Sequence, residues 1–246
     1  ALAPHLPPDQ RHTTLHQALQ TATSITDTRV RADVLAGLAP RLPPDLIPQA
    51  HHVATTVTSD HYRAWALAVL ASHLPPDQRH TTLHQALHVA TSITNGSERS
   101  WALVHLAPYL PPDLIPSLLH AAITIADEPR TWALEGLARY LPPALIPQAL
   151  QSATTIADDH YRSRALAALA PHLPPHLIPQ ALQVATGITS ASERVRALAA
   201  LAPHLPHDQR RSALHLALHV ATTITTYHAR AWALAALAPH LPPDLI

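Results

Sequence analysis

Phenylalanine, methionine, cysteine and lysine are missing from all 246 residues, and Asn95 is the one asparagine. Without cysteine there is no disulfide framework and no thiolate metal site. Glycine stands only at positions 37, 96, 136 and 187, so no phosphate-cradling loop can form, and neither H-E-x-x-H nor G-x-S-x-G is present. The 16 arginines are balanced by 16 acidic residues, which leaves no net field to draw the chain to nucleic acid or to an anionic membrane. No apolar run approaches the roughly 18 residues of a membrane span. Residues 1–8 do not read as a signal peptide, and the cytoplasm is the expected compartment. The 21 histidines add charge only on acidification, and the expectation is that the fold loosens below about pH 6.

Such gaps are improbable in independent draws but natural in a duplicated unit. The phrase ALAPHLPP occupies residues 1–8 and returns at 236–243. Cutting after each phrase of this type gives repeats 9–44, 45–76, 77–112, 113–143, 144–175, 176–207 and 208–243, with partial repeats at 1–8 and 244–246. Repeats of 31 to 36 residues mark a solenoid of supersecondary units. Within 144–175, apolar residues fall at Ile146, Leu150, Ala153 and Ile156, then at Leu166, Leu169 and Leu173. Steps of three and four in both halves predict two amphipathic helices, A and B. Asp9, Asp45, Asp77, Asp113 and Asp208 follow the proline pair and are expected to cap helix A. Pro48, Pro116, Pro147 and Pro179 fall in its first turn, where the missing N–H costs little. Long repeats carry four extra residues, about one helical turn, so the apolar face keeps its register. The proline of ALAPHLPP is expected to shorten or kink the end of helix B. The fold expectation is all-α, a right-handed α-solenoid formed by a single array over residues 1–246. Both ends fall inside repeats, so the chain reads as an excerpt of a longer array or as a protomer that stacks on its own copies.

Two helices in 31 to 36 residues, with Ala64, Ala68, Ala71 and Pro76 marking helix B and its exit, resemble the tetratricopeptide class of helical-hairpin repeats, with HEAT-like packing the alternative. The resemblance implies a protein-binding scaffold or the sensor arm of a large bacterial signalling NTPase.

Comparing the repeats with one another separates constant from variable positions. Leu35, Leu67, Leu103, Leu134, Leu166, Leu198 and Leu234 form one column of core residues, and Leu38, Leu70, Leu106, Leu137, Leu169, Leu201 and Leu237 form another. Arg31, Arg63, Arg99, Arg130, Arg162, Arg194 and Arg230 are equally constant. A cation in the first turn of helix B opposes the helix dipole. The expected compensation is bonding to the carbonyl end of a helix A, or to turn acids such as Asp27, Glu98, Asp127, Asp158 and Glu193, with ligand binding the alternative.

Two residues further on lie Asp33, Trp65, Trp101, Trp132, Arg164, Arg196 and Trp232, a column that contains every tryptophan. A step of two residues turns about 200° on a helix, so this column leaves the core stripe. Trp and Arg are enriched at binding hot spots, and the residues one turn on are mostly small. Trp65, Trp101, Trp132, Arg164, Arg196 and Trp232 are therefore the candidate ligand-binding residues. The other reading is that they pack in the seam between neighbouring helices.

His84 with His88, and His215 with His219, could share a metal on one helical face, but no third ligand is placed beside them and polar surface is the expected role. His51 replaces a core leucine and is expected to be a buried, satisfied imidazole. Asn95-Gly96-Ser97 reads as a turn rather than a glycosylation acceptor. Asp127 with Glu128, and Asp158 with Asp159, are adjacent turn residues rather than facing carboxylates, so no enzyme and no cofactor is expected. RNA-binding repeats of this length need a basic stripe, which is absent. The expectation is a non-enzymatic protein- or peptide-binding scaffold or sensor array, with a spacer or end-to-end filament subunit as the alternative.

Overall fold

The computed structural model describes residues 7–241. The described residues are all-α, a solenoid-like succession of helical hairpins. Helices A are α1 (Pro8–Ser24), α3 (Ile47–Thr55), α5 (Pro76–Ser92), α7 (Ile115–Ile123), α9 (Ile146–Thr154), α11 (Ile178–Thr186) and α13 (His207–Thr223). Helices B are α2 (Thr28–Leu38), α4 (Asp60–Ala71), α6 (Gly96–Leu106), α8 (Asp127–Leu137), α10 (Asp159–Leu169), α12 (Ala191–Leu201) and α14 (Tyr227–Leu237). The chain divides into two compact lobes, Ala1–Ala121 and Ala122–Ile246. In the N-terminal lobe α2 packs on α4 and α4 on α6; in the C-terminal lobe α8 packs on α10, α10 on α12 and α12 on α14.

The four-residue difference between repeats is spent at the start of helix A. In long repeats the helix starts directly after one proline and runs 17 residues, as in α1, α5 and α13. In short repeats a three-residue 3-10 turn such as Pro44–Leu46 comes first, and a nine-residue α-helix follows with its proline in the first turn. The aspartates expected as caps are not caps. Pro75 and Pro206 hold the capping positions, Asp77 and Asp208 lie in the first turn, and Asp45 and Asp113 lie in 3-10 turns. A proline there has no side-chain acceptor, first-turn amides such as Arg79 N and Arg210 N bond the Pro75 and Pro206 carbonyls, and the carboxylate is left for other partners. The side chain of Asp9 lies outside the described residues. Helices B do use side-chain caps: Asp27 accepts from Val30 N, Asn95 from Glu98 N, and Asp158 from His160 N and Tyr161 N. Asn95-Gly96-Ser97 is thus a capped turn.

Helix B ends in a 3-10 turn at Ala39–Arg41, Ala107–Tyr109, Ala170–His172, Ala202–His204 and Ala238–His240, each with proline at its second position. Ala138–Tyr140 makes the same turn with arginine in that place, so proline favours the turn without being required for it. Where Ser72 replaces proline, its N–H reaches Ala68 O at 3.3 Å and α4 runs one residue further.

The leucine columns form the core, except that Leu38 is only half-buried. Leu67, Leu103, Leu134, Leu166 and Leu198 are buried, each a gain of about 2 kcal/mol. Leu234 departs from its column: it is 37% exposed on α14, although Leu237 one turn later is fully covered.

Candidate functional site

The constant arginines are tied to the backbone that ends helix A. Arg31, Arg99, Arg130 and Arg194 donate from Nε to the carbonyls of Ile25, Ile93, Ile125 and Ile188 at 2.6 to 3.0 Å. Arg63 and Arg162 reach Val57 O and Ile156 O through Nη1 at 3.0 and 2.9 Å. Arg230 lies over the Tyr227 ring instead, 5.3 Å from its centroid. Six cations thus sit at the carbonyl end of their own helix A, where that dipole favours them, and this offsets the penalty at the start of helix B. Arg31 adds a bond to Thr56 O and Arg130 one to Thr155 Oγ1, each in the following repeat.

Acids complete the joint. Asp159 pairs through Oδ1 with Arg162, while its Oδ2 accepts from Thr189 N at 2.9 Å, Ser190 N at 2.7 Å and the Thr189 hydroxyl. The Thr189 hydroxyl, the Ser190 and Thr189 amides and Arg162 hold this carboxyl below the usual range against the opposing effect of partial burial. Asp127 makes the corresponding contacts one repeat earlier, with Arg130 at 3.4 Å and Ala157 N at 2.8 Å. These clamps bind one hairpin to the turn of the next.

Within each lobe the column holding the tryptophans lies along the seam between successive helices B, and its members do different things. In the N-terminal lobe the Trp101 ring is stacked by His105 at 3.8 Å and met edgewise by Tyr62 at 5.3 Å, His61 at 5.2 Å and Trp65 at 6.5 Å. Trp101 is half-buried, a packed member of the seam. Beside it Arg29, Asp33, Tyr62, Trp65, Trp101 and His105 line a notch of about 360 Å³. In the C-terminal lobe Trp132 and Trp232 are 38% and 75% exposed. Arg164 forms a bidentate pair with Glu135 across α8 and α10. Arg196 meets Glu193 at 2.9 Å, and Glu193, 13% exposed, also accepts from the Ser163 hydroxyl at 2.6 Å. Ser192, Glu193, Arg196, Ala229, Trp232 and Ala236 border a second notch, of about 550 Å³. The candidate residues therefore fall into two notches, with Arg164 committed to an internal partner and Trp132 open.

One set of contacts was not foreseen from the sequence. His12 Nε2 donates to Asp45 Oδ2 at 2.6 Å and His80 Nε2 to Asp113 Oδ2 at 3.0 Å. The signal was there, because both histidines stand in DQRHTTLHQ and both aspartates in the PPDLIP that follows 33 residues on. Each histidine holds its aspartate below the usual carboxylate range. His51 is half-buried and bonds Gln85 at 3.0 Å. Among the described residues no three His, Cys, Asp or Glu side chains come together in a way suited to a metal, and no helix is long and apolar enough to cross a membrane.

No protein-family model and no curated protein matches the chain. Among solved structures, the crystal structure of Ton1535 from Thermococcus onnurineus NA1 is similar at 15% identity and a TM-score of 0.33, covering 90% of this chain and 94% of that one.

Proposed function

We propose that this chain is a non-enzymatic scaffold of tetratricopeptide-like hairpins that binds a protein or peptide along its helix-B face. The observation that carries the reading is Trp232, 75% exposed beside the notch of about 550 Å³ in a helix otherwise built largely from alanine. An indole in water forfeits the burial of a large apolar surface, and such residues concentrate where a partner supplies that burial. Trp132, the other exposed indole, supports it. The test is affinity capture from a lysate of the encoding organism, comparing the parent with a Trp132→Ala/Trp232→Ala variant whose melting curve is unchanged. A partner retained by the parent and lost by the variant fits the proposal; identical captures count against it.

A further inference from the structure

We propose that the notch of the N-terminal lobe, where Asp33, Tyr62, Trp65 and Trp101 meet, receives the guanidinium of an arginine side chain from a partner peptide. This names the chemistry of one part of the helix-B face and rests on the binding reading above.

Three observations converge on a cation. First, the walls are aromatic: Trp65 and Tyr62 stand across the Trp101 plane, inclined to it by 76° and 72°, while His105 covers one Trp101 face. Ring faces carry the negative end of the aromatic quadrupole and attract cations. Second, the notch is also lined by a carboxylate with little to do. Asp33 is 55% exposed and meets Arg29, one turn earlier on α2, at 3.9 Å, the outer limit of an ion pair. Arg29 is itself 72% exposed, and its long stem can turn outward when another cation takes Asp33.

Third, the protein fills an equivalent seam with a guanidinium of its own. Between α8 and α10, Arg164 stands at the repeat position that Trp65 holds on α4, and its Nε and Nη2 donate to Glu135 on the preceding helix B at 2.8 and 2.7 Å. There the guest and the carboxylate belong to one chain. Between α2 and α4 a carboxylate also stands on the preceding helix, as Asp33, one turn before the position that Glu135 holds, but the following helix offers an aromatic wall in place of the guanidinium. A planar guanidinium can stack on an indole and share a carboxylate in one pose, which a point-like ammonium cannot do as well.

The experiment uses the whole 246-residue chain. Tryptophan fluorescence and calorimetry follow titration with the blocked peptide acetyl-Ala-Arg-Ala-Arg-Ala-amide and with two counterparts carrying Glu or Leu in place of Arg. The expected result is saturable binding of the arginine peptide alone. Asp33→Asn should weaken it by about threefold to tenfold, Trp65→Leu should weaken it similarly, and Trp65→Phe should retain most of it. Asp33 is exposed, so circular dichroism of Asp33→Asn should match the parent. Equal or tighter Trp65-dependent binding of the Leu or Glu peptide overturns the cationic guest while leaving a binding face in place. Arginine-peptide binding indifferent to Asp33→Asn, or no binding of any probe, overturns the inference. The Trp132→Ala/Trp232→Ala capture judges the broader reading separately, because it leaves this notch untouched.

Discussion

Arg164 grips Glu135 through two parallel hydrogen bonds of 2.8 and 2.7 Å, joining α10 to α8. Bidentate geometry makes this the most specific charged contact between successive helices B in the C-terminal lobe, and both side chains are about a third exposed. A double-mutant cycle on Arg164→Ala and Glu135→Ala should return a coupling of about 1 kcal/mol, the upper end for a partly solvated pair. A value indistinguishable from zero would mean that the fork contributes orientation without stability.

Asp159 is a different kind of acid. It joins Arg162 to the Thr189–Ser190 turn of the next repeat and has four partners. Asp159→Ala leaves those donors without their acceptor and should cost about 2 kcal/mol in a denaturant titration. The sign of its pH dependence follows from the depressed carboxyl. Its contribution is complete above the unfolded carboxylate range near 3.8 and is lost as pH falls through the lower folded value. Parent and variant stabilities should therefore converge below about pH 4; a constant gap would deny the linkage.

How much of this was legible in the sequence depends on the periodicity of each feature. The hairpins and both leucine columns were readable because seven repeats sample one pattern, which averages out local exceptions. The arginine column was readable as a position needing compensation, and its bonding to Ile25 O, Ile93 O and their equivalents is one of the two partners the sequence allowed. The aspartate caps were misread because proline and aspartate both mark helix starts, and the backbone gave the capping position to proline. The tryptophan column resisted a single reading because its members have different neighbours. Trp101 meets Tyr62 and His105, whereas Trp232 faces Arg196 and alanines. Such contacts depend on which side chains lie one repeat away, information that a column of one position does not hold.

Ser152 marks an avoidable defect. Its hydroxyl is buried on α9 without a hydrogen-bond partner, at the position that Val53 holds on α3 and Val184 on α11. An unsatisfied buried hydroxyl costs about 1 kcal/mol or more. Ser152→Val should raise the unfolding midpoint and add about 1 kcal/mol. A loss of stability instead would show that the site is too tight for the second methyl group.

The tryptophans should separate by environment. Four chains, each keeping one tryptophan and carrying phenylalanine at the other three sites, would report the rings individually. Trp101, inside its aromatic cluster, should emit to the blue and resist acrylamide, whereas Trp232 should emit to the red and be quenched freely. Stability should divide in the same way. Trp101→Ala removes packed ring contacts and should cost about 2 to 3 kcal/mol, while Trp232→Ala should fall within about 0.5 kcal/mol of the parent. If the two rings behave alike, the distinction between a packed seam and an open notch fails.

Acidification through the histidine range tests a cluster on the C-terminal lobe. His204 is exposed as a residue, yet its ring is partly desolvated and faces the charges of His172, Arg210 and His240; both effects lower its pKa from 6.5, desolvation most. A base whose folded pKa lies below its unfolded value takes up fewer protons when folded. Stability is therefore full well above pH 6.5 and falls as pH drops below it. The paired aspartates Asp45 and Asp113 do not oppose this, because their own shifts act only near and below the carboxylate range. Between pH 7.5 and 5.5 the parent should lose stability and His204→Gln should lose less, with the two agreeing most closely at the alkaline end. Denaturant midpoints at four pH values would decide it. Parallel curves would place any acid loosening elsewhere among the 21 histidines, and a flat parent curve would deny the loosening itself.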